Sequence, residues 1–517
     1  MGPASNTVER ESKLDAAPDF RMPDLDDLVQ EARPRPDQDL WATYFDSDDL
    51  RLWARGITFR HRRGEDSDAP SGIWTLKLPE GTAGEILERA ELTWPGRLPD
   101  VPVEALELLR GLLRHRTLSP VAELETHRQR LLLRRKDGTV LGELDDDRVT
   151  VHGGPRGGLQ FRQIEVELDS SDDYLLDRVL KRLRSAGALR GRAGPKLARA
   201  LGDSQKHSAS ADRFRLTRDS ILAEVVGFSL HSALAAILDR DVRLRLRPQD
   251  PSVEDIHKTR VATRRLRSDL KTLRAILDPV WTRHVRGDLK WLGSVLGEVR
   301  DLDVLQKYLE ASRRSGLADD EGTAVLLSRL GGQRATASQA LVQALASDRY
   351  LMLLDKLDAA AANPPVLGHG RAGGRRIDPA GPAAHDLPLL VRKEWKKLQA
   401  SIRRSDADPT DHNLHRVRIS AKQIRYASEL AEPVVGRHAR RTAKTAKGVQ
   451  NLIGGHQDAV VADDWLRAQL DGGTARAHFA AGQLSADQMR RKRRARRQWP
   501  KAREQLRQPK VQLWIRS

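Results

Sequence analysis

Residues Asp255–Arg274 read DIHKTRVATRRLRSDLKTLR, and the spacing of their cations governs how the rest of the chain is read. At 100° per residue, a helix sets His257, Arg260, Arg264, Arg267, Lys271 and Arg274 on one ridge. Leu266, Leu270, Leu273 and Leu277 fall on a second ridge about 120° around the cylinder. Between His257 and Arg274 the only acid is Asp269. Like charges at i,i+4 repel by a few tenths of a kcal/mol per pair, so the row predicts an anion facing it. Taken alone, the stretch reads more readily as a solvated basic face.

A second copy changes that balance. Leu414–Tyr426, LHRVRISAKQIRY, sets His415, Arg418, Lys422 and Arg425 at the spacing of His257, Arg260, Arg264 and Arg267. Leu296-Gly297 with Asp301 and Val304 follows the first copy, and Ile453-Gly454 with Asp458 and Val461 follows the second. Histidine and aspartate are 44 residues apart in one copy and 43 in the other. An offset repeated over two segments 158 residues apart marks an internal duplication. Two related halves, each presenting a histidine and three cations, are expected to face a shared cleft.

HKTRVATRRLRSDL with LGEVRDLDV, then HRVRISAKQIRY with IGGHQDAVV, resemble the CHAD family of helical domains over about residues 214–510. The resemblance implies two four-helix bundles around a basic channel, and binding of inorganic polyphosphate. Gln423 stands where the first copy has Arg265, and Ala459 where it has Leu302.

A chain of 517 residues exceeds one ordinary core. It has no cysteine, which excludes disulfides and thiolate metal sites and suits a reducing compartment. No apolar run is expected to reach the roughly 18 residues of a membrane helix, and no signal-peptide core is seen. A cytoplasmic location is expected, with association to polyphosphate granules as an extension of it. Residues 1–200 carry 32 Lys+Arg against 36 Asp+Glu, and residues 201–517 carry 58 against 36, so −4 stands against +22. That asymmetry points to a polyanion for the C-terminal part. Aromatics are only 4% of the chain, whereas single-strand nucleic-acid binders stack bases on aromatic platforms. A phosphate polymer without bases needs none.

The N-terminal part reads as strands with one ionisable and one apolar face. In Val8–Leu14, period two aligns Glu9, Glu11 and Lys13. Thr58–Arg63 aligns Arg60 and Arg62, and Trp74–Leu78 puts Lys77 opposite Trp74, Leu76 and Leu78. Thr126–Leu131 aligns Arg128 and Arg130; Glu143, Asp145 and Asp147 share a parity; Gln163–Leu168 sets Glu165 and Glu167 against Ile164, Val166 and Leu168. A sandwich would put these charges in water. A closed barrel would put them inside, which requires a metal and a highly charged ligand, because unpaired buried charges are very costly.

ERESK, YFDSDDLRLWARGITFRHR (Tyr44–Arg62), WTLKLP and FRQIEVEL resemble, in that order, the CYTH or triphosphate-tunnel family over about residues 5–190. The resemblance implies an eight-stranded antiparallel tunnel, a divalent cation (Mg²⁺ or Mn²⁺) and hydrolysis of a triphosphate. Carried over position by position, it implies Glu9, Glu11, Glu165 and Glu167 as metal ligands. Lys13, Arg60, Arg62, Lys77, Arg128 and Arg130 become phosphate clamps.

The expected architecture is multidomain α+β, with an antiparallel β tunnel at 5–190, a linker at 191–213 and an all-α domain at 214–510. The repeats lie at about 214–355 and 386–510, separated by a Gly/Pro-rich segment, Pro364–Ala384, expected to be an open, mobile loop. His257, Arg260, Arg264, Arg267, Lys271, His415, Arg418, Lys422 and Arg425 are the expected polyphosphate contacts. The expected function is polyphosphate binding coupled to a metal-dependent triphosphatase. A non-catalytic polyphosphate receptor is the alternative, and a nucleic-acid-binding protein a third reading.

Overall fold

The structure is a computed structural model that describes residues 5–29, 31–64, 71–83, 86–168, 172–190, 195–202 and 215–516. The chain divides into two compact units, Met1–Arg213 and Phe214–Ser517.

The first unit is a closed antiparallel barrel. Its strands are β1 (Ser5–Ala16), β2 (Glu31–Asp46), β3 (Thr58–Arg63), β4 (Ile73–Ala83), β5 (Ile86–Pro95), β6 (Ser119–Arg134), β7 (Val140–Gly153) and β8 (Gln160–Leu168), with α1 (Asp26–Val29) between β1 and β2 and α2 (Val103–Leu113) between β5 and β6. They run β5-β4-β3-β2-β6-β7-β8-β1, and β1 pairs back to β5. Closure gives every strand of the ring two neighbours. Apolar side chains on the outer face of the strands are buried in two places. On one side Leu14, Leu144, Ile164 and Val166 pack under α3 (Asp173–Ser185), which buries Leu176, Val179 and Leu183 against them. Asp172 caps α3 by accepting from the Leu175 amide. On the other side Trp74 is fully buried among Phe45, Phe59 and His61.

The stretch expected as a linker contains a helix. α4 (Lys196–Leu201) turns Leu197, Ala200 and Leu201 onto Ala42, Ala122, Leu124 and Val151 of the barrel. Gly202, at φ +82°, ends it. Residues 191–194 and 203–213 of the expected linker lie outside the described residues.

The second unit is helical throughout, apart from one short hairpin. Its described helices, numbered on from α4, are α5 (Leu222–Leu246), α6 (Val253–Thr272), α7 (Pro279–Arg314), α8 (Asp320–Ala346), α9 (Asp348–Ala362), α10 (Ala383–Ala407), α11 (Asp411–Val435), α12 (Arg437–Ala468), α13 (Ala475–Arg507) and α14 (Pro509–Arg516). Each half thus supplies four long helices and a shorter fifth. Corresponding helices start alike: Ser252 caps α6 and Thr410 caps α11, each side chain accepting from the backbone amide three residues on. The halves are joined by α8 and α13, where Leu326 and Leu330 meet Ala477, Ala480 and Leu484.

Three expectations are corrected here. The cation helix α6 stops at Thr272, so Arg274 lies beyond it in the turn leading to Asp278, which caps α7 ahead of Pro279. The segment between the halves is built rather than open, with a hairpin of Gly370–Ala372 and Arg375–Ile377 that buries Ile377. Finally, one helix among the described residues, Leu222–Leu246, is long and apolar enough to cross a membrane by length and composition, with mean hydropathy 1.4. Its apolarity serves the bundle: Val225, Val226, Leu230 and Ile237 are fully buried. The buried Asp241 within it receives hydrogen bonds from Arg245 at 2.8 Å and the Tyr350 hydroxyl at 2.7 Å.

Candidate functional site

The barrel encloses a cavity of about 490 Å³. Strand alternation brings into it every residue expected there except Arg130: Glu9, Glu11, Lys13, Arg60, Arg62, Lys77, Arg128, Glu165 and Glu167 all line it. Arg130 has the same parity as Arg128 and pairs with Glu143, which also lines the cavity.

The lumen charges are interlocked. Lys77 Nζ lies 2.6 Å from Glu9 and 2.9 Å from Glu91. Lys13 Nζ lies 2.8 Å from Glu11 and also pairs with Glu165. Arg128 donates two bonds of 2.8 Å to Asp147, a fork that fixes both groups, and contacts Asp145 and Glu165. Arg60 donates to the Tyr44 hydroxyl at 3.3 Å. Burial works against the charges of Lys13, Lys77, Arg128 and Glu165, but Lys13, Lys196 and Arg128 outweigh it at Glu165 and hold that carboxyl well below the usual range.

Two carboxyls go the other way. Desolvation, then Glu9 and Glu11, push Glu167 up to about 8 although Lys77 opposes them. Burial, then Asp147, Glu165 and Glu143, push Asp145 up to about 7 against the pull of Arg128. Burial and carboxylate crowding act together here, and positive charge placed among these groups opposes both.

Among the described residues, no three acidic or histidine side chains are grouped tightly enough to hold a metal as they stand; Lys13 and Lys77 are drawn onto Glu11 and Glu9 instead. The donor set still fits a hard cation, being all carboxylate oxygen. Glu11 stands directly across from Glu167, whereas Glu165 stands across from Lys13. Glu9, Glu11 and Glu167 could together hold a cation, while Glu165 is engaged with Lys13, Arg128 and Lys196.

Sequence reasoning missed Lys196. It enters the lumen from α4 and lies 2.6 Å from Asp147 and 2.7 Å from Glu165. Its surroundings, Gly191 to Pro195, read as a linker, and no periodicity flags a six-residue helix. Glu91 and Arg89 were also missed, although their alternation in ILERAELTWP carried the signal.

The helical unit holds a second cavity, of about 700 Å³. His257, Arg260 and Arg264 from α6 and His415, Arg418 and Lys422 from α11 line it together, so both copies build one site. Their salt bridges repeat as well: Arg260 to Asp301 at 3.2 Å, Arg418 to Asp458 at 3.9 Å. Of the paired glycines in the motif, the first is tight against its arginine and the second is in ordinary contact. A Cβ on Gly297 would meet the Arg260 guanidinium at 3.1 Å, and one on Gly454 would meet Arg418 Nε at 3.7 Å.

Three expected residues lie elsewhere. Lys271 pairs with Glu394 at 3.2 Å, and Arg425 with Glu429 at 2.7 Å and Gln450 at 3.1 Å. Burial, with Arg286 and Arg264 nearby, lowers Arg267. Arg300, Lys307 and Arg491 join the cavity unforeseen, since only tertiary packing brings α7 and α13 there. Gln423, the departure from the first copy, is a buried seam residue that donates to the Ser268 carbonyl at 3.1 Å and to Thr272 Oγ1 at 3.3 Å.

This cavity is electrostatically unbalanced. Burial, then Arg418, Arg264 and Arg260, lower Lys422 to about 7. His257 is lowered by desolvation and by Arg300, Arg264 and Arg260. The buried Nε–H groups of Arg260, Arg264 and Arg418 have no acceptor among the described residues. His415 Nδ1 is 2.7 Å from Gln457 Oε1, so that ring is oriented by the second half's own α12.

Comparison with known families finds a CYTH domain over residues 23–201 and a CHAD domain over residues 229–467. Two uncharacterized Mycobacterium tuberculosis proteins, MT2285 of strain CDC 1551 and Rv2226 of strain H37Rv, are each 30% identical over 494 residues, covering 89% of this chain and 88% of the relative. Among solved structures, PptA from Streptomyces chartreusis is 22% identical, spans 55% of this chain and 100% of its own, and superposes with a TM-score of 0.44. The CHAD domain from the plant Ricinus communis is 26% identical over 58% of this chain and 94% of its own, TM-score 0.44. HpAC1 of Hippeastrum, described as an adenylyl cyclase with a dominant triphosphatase activity, is 16% identical over 38% of this chain and 100% of its own, TM-score 0.24. With an eight-stranded charged tunnel followed by a duplicated helical unit, this chain belongs to the proteins that join a CYTH domain to a CHAD domain.

Proposed function

We propose that the helical unit binds inorganic polyphosphate in the cavity between its halves, and that the tunnel is a divalent-metal-dependent triphosphatase acting on tripolyphosphate or a related triphosphate. The observation that carries the binding half is the trio of buried guanidinium donors without acceptors, on Arg260, Arg264 and Arg418. An anion with many oxygens satisfies them and relieves the depressed Lys422. Tyr308 is the one aromatic lining that cavity among the described residues, and it is engaged with Asp487 at 3.2 Å. That favours a phosphate chain over stacked bases.

In the tunnel, Glu9, Glu11 and Glu167 would hold Mg²⁺ or Mn²⁺. When bound, the cation would withdraw charge from a phosphate oxygen. Lys13, Arg60, Arg62, Lys77, Arg128 and Lys196 bind and orient the triphosphate. The incoming phosphates would take Lys13 and Lys77 from their glutamate partners, freeing those carboxylates as the ligand arrives.

The same lysine–glutamate pairs favour a second reading, a receptor that grips without cleaving. Incubation with tripolyphosphate and Mg²⁺ or Mn²⁺ separates the two. Phosphate release supports the triphosphatase, while retention of polyphosphate without shortening, by a protein inert toward every triphosphate, removes the catalytic half. Competition by duplex DNA at equal phosphate concentration would overturn polyphosphate as the ligand.

A further inference from the structure

Strand β2 changes its facing partway along. Arg35 pairs with Arg130 of β6, and Gln38 pairs with Arg128, so three residues on β2 match two on β6. The extra residue, in Pro36-Asp37, makes a β-bulge and reverses the in–out alternation beyond it. Leu40, Ala42 and Tyr44 share the lumen side with Arg60 and Arg128. Past the bulge, the odd-numbered Arg35 and Arg33 take over that face.

There they line a cavity of about 620 Å³ with Leu132, Val140, Glu143 and Glu167. Glu143 and Glu167 also line the lumen, so the two cavities meet at those side chains. α4 lies at the other end, since Lys196 reaches Asp147, four residues along β7 from Glu143.

We propose that Arg33 and Arg35 form an anion subsite at this mouth, receiving the phosphates of a linear polyphosphate beyond the three held in the lumen. It rests on the reading of the lumen as a triphosphate site. Arg128 and Arg130 are two residues apart on β6, about 7 Å. Arg35 sits across from Arg130, about 5 Å away, and Arg33 follows two residues further out. The guanidinium row therefore outruns a triphosphate and ends in solvent. Arg35 is held near the wall by Glu143, 3.9 Å away.

The backbone is suited to this. β3 pairs with β2 only from Trp41 to Phe45, so Pro34 and Pro36 stand where that side of β2 has no ladder to lose. Prolines on both sides of Arg35 restrict the chain and present the arginines at reduced entropic cost. A purely solubilising edge would carry the same charges without chain-length dependence, and that difference is measurable.

The test uses the full chain carrying R260A and R418A, which weakens the helical cavity as a competing sink. KM is measured for tripolyphosphate and for a longer chain of defined length. R33A/R35A is expected to raise KM for the longer chain about tenfold and leave tripolyphosphate within about twofold. R33K/R35K, which keeps the charge, should recover most of the loss, and R97A/R110A elsewhere on the unit should change neither. An equal effect on both ligands, or none on the longer chain, overturns the subsite. If tripolyphosphate is not turned over at all, the hydrolase reading fails separately. Calorimetric titration of the same proteins with the same two ligands then decides the subsite by the same comparison.

Discussion

Glu11 and Glu167 stand directly opposite one another across the β1–β8 pair, with Glu9 two residues along β1. Side chains so placed lie about 5 Å apart, and their mutual repulsion is part of what pushes Glu167 up to about 8. Glu11→Gln keeps the shape and removes the charge. It should slow Mg²⁺- or Mn²⁺-dependent phosphate release from tripolyphosphate about a hundredfold or more. Retention of long polyphosphate should not change, since that is assigned to the other unit. Steady-state release and a filter-retention assay on one preparation check both, and an active variant would take Glu11 out of the metal site.

Arg260 and Arg418 are counterparts in the two copies and share one cavity. Replacing both by Ala should weaken polyphosphate binding about a hundredfold, since hydrogen bonds to charged groups contribute about 1.5–3 kcal/mol each. Replacing Arg493 and Arg494, both exposed on α13, should cost far less. The Arg260/Arg418 variant should also show a shallower salt dependence, by analogy with counterion release. Equal losses from the two pairs would mean a diffuse field instead of a shaped site.

Lys422 predicts a pH dependence. Burial, with Arg418, Arg264 and Arg260, holds it down at about 7 in the free protein. A bound polyanion raises it again, so binding takes up a proton at neutral to mildly alkaline pH. Affinity should fall as pH climbs above about 7, by at most about tenfold per unit for this one group. Calorimetry in buffers of different ionisation heat measures the uptake. Lys422→Met should flatten the slope; an unchanged slope would assign the proton elsewhere.

Asp269 is the one acid of the cation helix beyond its first turn, and it faces inward. Its side chain is 2% exposed and accepts a hydrogen bond from Ser229 at 3.0 Å. Burial pushes its carboxyl up to about 7, against about 3.9 unfolded. The folded chain therefore binds the extra proton between those values. Stability contributed by this group falls as pH rises through that window and is level above it, a change of up to about 4 kcal/mol. Asp269→Asn should remove the slope in thermal melts between pH 4 and pH 8, and parallel curves for the two proteins would show that Asp269 stays charged.

Charge parity and helical period were legible because they are local. Glu9, Glu11 and Lys13 share a parity within five residues, and that alone sends them to one face of β1. The histidine-to-aspartate offset likewise fixed which helices of the two halves correspond. Other features are not written locally. Lys196 comes from a six-residue helix whose position depends on Leu197 and Leu201 finding the barrel wall. The extra residue at Pro36-Asp37 becomes visible only when Arg35 is matched to Arg130 and Gln38 to Arg128. The apolar length of α5 resembles a membrane span, and only its partners distinguish a bundle core.

The seam through the helical cavity has a mechanical consequence. A polyanion gripping Arg260 and Arg264 on one side and Arg418 on the other spans the duplication like a rivet, and neither half can unravel without letting it go. Ligand should therefore raise the melting temperature of both halves together and merge their unfolding into one transition.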